Sequence, residues 1–245
     1  MTITNELQDA CKNGDTEVVR LLLRDPQVDP SDNDNLAIQL ASNNGHVEVV
    51  RILLNDPRVN PSDDDNFSMQ RASVNGHVDV VKLLLNDPRV DPSANNNLVV
   101  QQASKMGHTK IVRLLLNDPR VDPSAINNYA IQLASEHGHA EVVKLLLNDP
   151  RVDPSTDNNY AIEQASKKGH TEIVRILLRA TRVNLCNDDN YIIRQTKSMV
   201  IIDMLLEKMS FPIGMSIKKY KKFLIGKKYL LKLLSTKVYD YSKLF

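Results

Sequence analysis

The sequence predicts an all-α solenoid of about seven helix–turn–helix units, followed by a basic helical tail. Three observations lead to this prediction. The eleven residues LLLNDPRVDPS begin at residues 83, 114 and 145, a spacing of 31. Six of the eight glycines and five of the six histidines keep the same spacing. Within each unit, two short apolar sets at helical spacing flank one of these glycines.

Residues 128–158 show how one unit is built. Asn128 stands at the N-cap position of a first helix that ends at Gly138, a residue suited to a left-handed C-cap. The apolar residues of 142–147 predict a second helix, which ends before Pro150. The DPRVDPSTDN segment that follows has the composition of turns. Because two helices this short cannot bury an apolar stripe alone, neighbouring units must stack.

The second helix carries a family resemblance. Its sequence in residues 138–147, GHAEVVKLLL, resembles the Gly-His-Leu-Glu-Val-Val-Lys-Leu-Leu-Leu of ankyrin repeats. The resemblance covers residues 3–209 and implies an ankyrin-repeat array. The unit is shorter than the usual repeat of about 33 residues, and YAIQ at 129–132 replaces the family's Thr-Pro-Leu-His. Short, Asp-Pro-rich units of this type resemble the arrays encoded by giant DNA viruses.

The array is predicted to span residues 1–209. Its first unit has Glu6 and Asp9 where later units have apolar residues, as expected for an outer face that meets water. Its last unit lacks the Gly-His turn and has Thr196 in a column of alanines, which indicates an end cap. The seven units begin near Thr4, Asn35, Asn66, Asn97, Asn128, Asn159 and Asn190.

Residues 210–245 form the predicted tail. They hold nine lysines and a single acidic residue, a net charge of +8, against −7 for the preceding residues. On a helix these lysines lie opposite an apolar side. Three hypotheses follow: the tail caps the last unit, it binds an anionic membrane surface or nucleic acid, or its FPIGMSIKKY segment resembles the F-box-like ends of viral ankyrin proteins that recruit ubiquitin ligases.

The sequence predicts no catalytic, metal or cofactor site. The five periodic histidines lie about 10 Å apart along the stack, too far to share a metal; we expect them to cap and pack at the start of the second helices. SDNDN and SDDDN lack the glycine and the closing glutamate of an EF-hand loop. No glycine-rich phosphate loop or catalytic triad can be assembled.

The sequence also favours an intracellular protein, in the cytoplasm or a host-cell cytoplasm. No apolar run approaches the roughly 18 residues of a membrane span, and the N-terminus has no signal-peptide pattern. Cys11 and Cys186 fall in units too far apart for a disulfide, so free thiols are expected. A monomer is expected.

The ankyrin resemblance implies a partner-binding concave face, formed by the loop tips and the ends of the first helices. Along this face the residues change from acidic through apolar to basic while the framework repeats. The candidate partner-binding residues are Val74, Asn75, Lys105, Met106, Ala125, Ile126, Glu136, His137, Lys167 and Lys168. Four of them are expected to anchor a partner: Val74, Met106, Ile126 and His137. A column of side chains is expected to form a ladder between units rather than a ligand site: Leu36, Phe67, Leu98, Tyr129, Tyr160 and Tyr191.

The predicted function is that of a non-catalytic protein–protein interaction scaffold, which binds a macromolecule on the concave face and has no small-molecule substrate. One alternative is a substrate-receptor subunit of a cullin ubiquitin ligase. Another is a membrane or nucleic-acid tether through the basic tail.

Overall fold

The computed structural model describes residues 3–180, 192–193 and 195–208, and these ranges contain thirteen α-helices and no strand. The first helices of successive units are α1 (Ile3–Asn13), α3 (Asp32–Asn44), α5 (Asp63–Val74), α7 (Ala94–Met106), α9 (Ala125–His137) and α11 (Thr156–Lys168). The second helices are α2 (Thr16–Leu22), α4 (Val47–Leu54), α6 (Val78–Leu85), α8 (Thr109–Leu116), α10 (Ala140–Leu147) and α12 (Thr171–Arg179). The last described helix is α13 (Met199–Lys208).

The helices form two layers. Each first helix packs against the first helix of the next unit, and each second helix packs against the next second helix, with α13 against α12. One continuous core lies between the layers. The alanine that repeats in units one to six lets the first helices approach closely, and each copy is at most 4% exposed: Ala10, Ala41, Ala72, Ala103, Ala134 and Ala165.

Four periodic glycines cap first helices as predicted, namely Gly45, Gly107, Gly138 and Gly169, whereas Asn75 caps α5 one residue before Gly76. Gly138 adopts φ 87° in the left-handed region and caps α9, a conformation that costs glycine little. The histidines behave differently from the prediction, since none makes a side-chain cap in the second helix that it precedes. Instead, each Nε2 bonds a backbone carbonyl of the preceding unit; His108 bonds the Val74 oxygen at 2.8 Å. The histidines therefore join units, which a cap within one helix would not do.

The DPR segment of each loop also joins units. The carboxylate of Asp118 accepts from the Arg120 backbone N–H and from its guanidinium. The same guanidinium donates to the Val90 carbonyl at 2.8 Å and the Leu85 carbonyl at 3.2 Å, both in the preceding unit. Arg58, Arg89 and Arg151 likewise bond carbonyls of their preceding units. This contact between units gives a physical reason why the Asp-Pro-Arg sequence is repeated in the loops.

A left-handed turn opens the first helix of units two to six. Three consecutive residues have positive φ in each unit, for example Asn95, Asn96 and Asn97 at 52°, 56° and 63°. Asn and Asp tolerate this region better than other residues with a side chain. Asn128 ends one such turn, and its Oδ1 accepts the Asp153 N–H at 2.7 Å. Its side chain therefore ties two loops together instead of capping its own helix, as the sequence had suggested.

The two ends of the described array contain residues that depart from the repeat. Glu6 and Asp9 are exposed, as predicted for an outer face. Thr196 is buried and its hydroxyl donates to the Ile192 carbonyl at 2.7 Å. Cys11 is a buried free thiol, and burial raises its pKa to about 12. Cys186, Tyr191 and the tail at 210–245 lie outside the described residues.

Candidate functional site

The candidate residues fall into two groups at opposite ends of the first helices. Ala125 and Ile126 lie at the start of α9, whereas Glu136 and His137 lie at its end. With about 1.5 Å of rise per residue, the helical part of α9 separates the two groups by roughly 12 Å. We call the residues at the helix starts the loop strip: 32–33, 63–64, 94–95, 125–126 and 156–157. Those at the helix ends form the helix-end strip: 43–44, 74–75, 105–106, 136–137 and 167–168.

A groove of about 300 Å³ lies across the first helices of units three to five. The side chains that line it come from α5, α7 and α9: Val74, Leu98, Gln101, Gln102, Lys105, Met106, Tyr129 and Leu133. Two apolar lining residues are open to solvent, with Met106 46% and Tyr129 40% exposed. The groove is therefore an apolar surface that a partner could cover.

The groove brings together only three of the ten candidate residues, namely Val74, Lys105 and Met106. Leu98 and Tyr129, which the sequence placed in a ladder between units, also line it. A signal for Leu98 exists in the sequence, because residues 98, 102 and 105 are spaced to share one face of α7. Gln101 is buried, and its side-chain amide donates to the Asn96 carbonyl at 2.7 Å, which fixes this part of the groove lining.

The remaining candidates of the helix-end strip lie outside the groove. Asn75 follows α5, and its side-chain amide donates to the Asn43 carbonyl at 2.8 Å. His137 stacks on His139 with ring centroids 6.4 Å apart. Burial lowers the pKa of His139, against the opposing effect of its bond to the Lys105 carbonyl. The side chains of Asn75 and His139 thus bond carbonyls of the preceding unit and are not free to contact a partner.

The acidic and basic residues of the two strips lie at opposite ends of the first helices. The acidic residues that units two and three place on this face are Asp32, Asp63 and Asp64, all in the loop strip. The basic residues Lys105, Lys167 and Lys168 belong to the helix-end strip. Glu136 interrupts the basic stretch. It lies close enough to Tyr160 for its charge to add to the effect of burial, which raises the pKa of that phenol. The change from acidic to basic therefore crosses the first helices as well as running along the stack.

Ile126 occupies a position that suits Asn or Asp. Its φ of 50° lies in the left-handed region, which a β-branched side chain adopts only at a cost. The equivalent residues of the other four turns are Asn33, Asp64, Asn95 and Asp157. Ile126 is also 53% exposed, so packing does not repay the strain. Strained residues of this kind concentrate at functional sites.

The described residues offer no group of three or more His, Cys, Asp or Glu side chains that could hold a metal ion. Within the same ranges, every helix is too short or too polar to cross a membrane.

The geometry defines a class of protein, an α-helical repeat solenoid with an open groove on its first-helix face. A family model described as ankyrin repeats (3 copies) matches residues 7–96 and 100–189. The chain therefore belongs to the ankyrin-repeat family. None of the curated proteins matches the chain.

Solved structures of low sequence identity share the fold. The ankyrin repeat domain of Bcl-3, described as a unique member of the IkappaB family, has 22% identity and a TM-score of 0.64, covering 81% of this chain and 96% of its own. The human ASB11 ankyrin repeat domain has 19% identity and a TM-score of 0.65, covering 84% and 98%. An ankyrin repeat domain from Acinetobacter baumannii AYE has 20% identity and a TM-score of 0.59, covering 71% and 96%.

Ankyrin repeats are in general protein–protein interaction modules, typically without catalytic activity. The groove is lined by residues of the first helices, the elements that the ankyrin resemblance implies for the partner-binding face.

Proposed function

We propose that this protein is a non-catalytic scaffold that binds a protein partner on its concave face, through the helix-end strip and the loop strip. One observation carries the proposal: the apolar groove centred on Met106 interrupts a framework that otherwise repeats. The residues equivalent to Met106 in units two, three, five and six are polar: Asn44, Asn75, His137 and Lys168. An apolar residue at this exposed position is not needed to stack the units, so selection for binding explains it better.

The strain at Ile126 supports the same proposal from the other strip. An exposed isoleucine at a left-handed position adds no stability. It does add an apolar side chain to the loop tips, three residues before Tyr129 in the sequence. Both strips thus carry apolar residues in the middle units, where contacts that dominate binding energy tend to cluster.

Affinity capture from cell lysate with quantitative mass spectrometry tests the proposal. The full chain would be compared with a concave variant that combines Met106→Asp, Lys167→Glu and Lys168→Glu. A control variant would carry Lys82→Glu and Lys110→Glu, at exposed positions of the second helices. We expect partners that the concave variant loses and the control variant keeps. Partners kept by both variants, or lost equally by both, would place the binding surface elsewhere.

The alternatives that involve a ubiquitin ligase, a membrane or nucleic acid depend on residues 210–245, outside the described residues. A chain that ends at Met209 separates them from the proposal in the same experiment. Ligase subunits, lipid or nucleic acid bound only by the full chain would assign a second role to the tail.

A further inference from the structure

The groove is the right size for side chains of another protein. Its volume of about 300 Å³ is at the lower limit of small-molecule sites. A small-molecule ligand normally has most of its surface buried, whereas this groove leaves Met106 and Tyr129 substantially exposed. One bulky apolar side chain of a partner would cover both residues without entering a closed cavity. Methionine and aromatic residues are also enriched in protein interfaces.

Two cations flank the groove. Lys105 lines it directly, and Arg71 lies one helical turn before Val74, on the same face of α5. The guanidinium carbon of Arg71 lies 4.3 Å from the centroid of the Phe67 ring, which orients it on the surface. Among the described residues, no ion pair is formed by either side chain. Both charges are therefore available to a ligand.

Acidic residues are scarce next to these cations. Helix α7 contains no Asp or Glu, and those of α5 are confined to its first turn. The groove itself is lined by no acidic residue. Helix α9, which also lines the groove, has one acidic residue, Glu136 in its last turn. A carboxylate placed beside the apolar anchor on the side of α5 and α7 would thus meet two cations and no acid, which favours an acidic ligand over a basic one.

The groove also offers a polar group suited to a peptide main chain. Gln102 is half-buried on the groove wall, and its side-chain amide has no hydrogen-bond partner among the described residues. A side-chain amide both donates and accepts, as a peptide group does. A polypeptide therefore matches the groove better than a purely apolar ligand.

We infer that the groove binds a protein segment in which a bulky apolar residue is flanked by Asp or Glu. The apolar side chain covers Met106 and Tyr129, and the flanking carboxylates pair with Lys105 and Arg71. This inference rests on the proposed function and specifies the chemistry of the partner.

Selection from a phage library of random dodecapeptides on the immobilised full chain tests the inference. We expect enriched peptides to place Phe, Leu, Met or Trp beside Asp or Glu. Synthetic copies, followed by fluorescence anisotropy, should bind Met106→Asp at least about tenfold more weakly than wild type. A Lys110→Glu control should bind them unchanged. All variants alter exposed positions, and circular dichroism with thermal melting would show that each retains the fold.

A charge reversal makes the test more specific. In a variant that combines Arg71→Glu with Lys105→Glu, selection should favour Lys or Arg beside the same apolar residue. Enriched peptides without acidic flanks, an unchanged preference after charge reversal, or no enrichment at all would overturn the inference. If capture from lysate is still lost in the concave variant, the proposed function survives and only the assignment of the groove fails.

Discussion

The imidazole of His108 lies directly over Gly76 of the preceding unit. A Cβ atom added to Gly76 would lie 2.8 Å from Cε1 of that ring, while Nε2 of the ring bonds the Val74 carbonyl at 2.8 Å. The same arrangement recurs between Gly14 and His46 and between Gly45 and His77. The histidine ring therefore leaves no room for a Cβ atom at these glycines, which is one reason why glycine and histidine repeat together across the unit boundary.

Replacing Gly76 by alanine should destabilise the array more than the same change at Gly169. Both glycines have positive φ, 79° and 85°, so alanine should cost about 1 kcal/mol at either position. Only at Gly76 must a histidine also move and lose its bond, which should add roughly 1 kcal/mol; in the described residues nothing lies within 4 Å of a Cβ at Gly169. Urea denaturation followed by circular dichroism measures both changes. Equal losses would show that the histidine contact contributes nothing.

Arg120 should resist replacement by lysine. Its guanidinium donates to the Asp118 carboxylate and to two carbonyls of the preceding unit, a fork that a single ammonium group cannot reproduce. Because these acceptors are partly open to water, we expect Arg120→Lys and Arg120→Ala each to cost about 1 kcal/mol of unfolding free energy. Arg113→Ala, at an exposed arginine of α8, is the control and should have little effect. Full stability in Arg120→Lys would contradict the role of the fork.

The pH dependence of stability should show how much the ionised Asp118 carboxylate, the partner of Arg120, stabilises the fold. Hydrogen bonds from the Arg120 side chain hold the pKa of Asp118 below its ordinary value. In the unfolded chain that carboxyl titrates near 3.9, so its ionised form stabilises the fold above this pH. The contribution is lost as the pH falls through the lower folded-state pKa. The stability difference between wild type and Asp118→Asn should therefore be constant from pH 7 to about 5 and shrink below about pH 4.

Urea denaturation of both proteins at several pH values measures this difference, and comparing the two cancels the titration of the histidines. A difference that stays constant down to pH 3 would show that the carboxylate charge does not matter.

Ser104→Ala should be neutral or stabilising. The Ser104 hydroxyl is fully buried and has no hydrogen-bond partner in the described part of the chain, and the same holds for Ser42, Ser73, Ser135 and Ser166. Removing an unsatisfied buried hydroxyl should raise the unfolding free energy by up to about 1 kcal/mol. Ser124→Ala is the matched control, because its hydroxyl donates to Asp122 at 2.6 Å. Thermal melting should show the two variants moving in opposite directions; a clear loss in Ser104→Ala would reveal an unseen partner.

The period of the sequence was sufficient to predict the two helices of each unit and the glycines that follow the first helices. It was not sufficient for the bonds between units. His108 and Arg120 bond carbonyls about one unit earlier in the chain, at 34 and 30 residues' separation, and only the stacked geometry shows which carbonyls these are. Of the residues that line the groove, Val74 and Met106 could be singled out because they break the repeat, whereas Tyr129 conforms to a column shared by other units.

At Ile126, stability and partner binding are expected to favour different residues. Ile126→Asn places a residue that tolerates φ near 50° where isoleucine is strained, so it should raise the unfolding free energy by about 1 kcal/mol. The reciprocal change, Asn95→Ile at the equivalent position of unit four, should lower it by a similar amount. Both residues are exposed, so packing should contribute little to either change. If isoleucine is retained for a partner, Ile126→Asn should also weaken capture of the proteins bound by the wild-type chain, while Asn95→Ile leaves the Ile126 contact in place. A variant with Asn at 126 that is less stable, or that is more stable and binds equally well, would remove Ile126 from the binding surface.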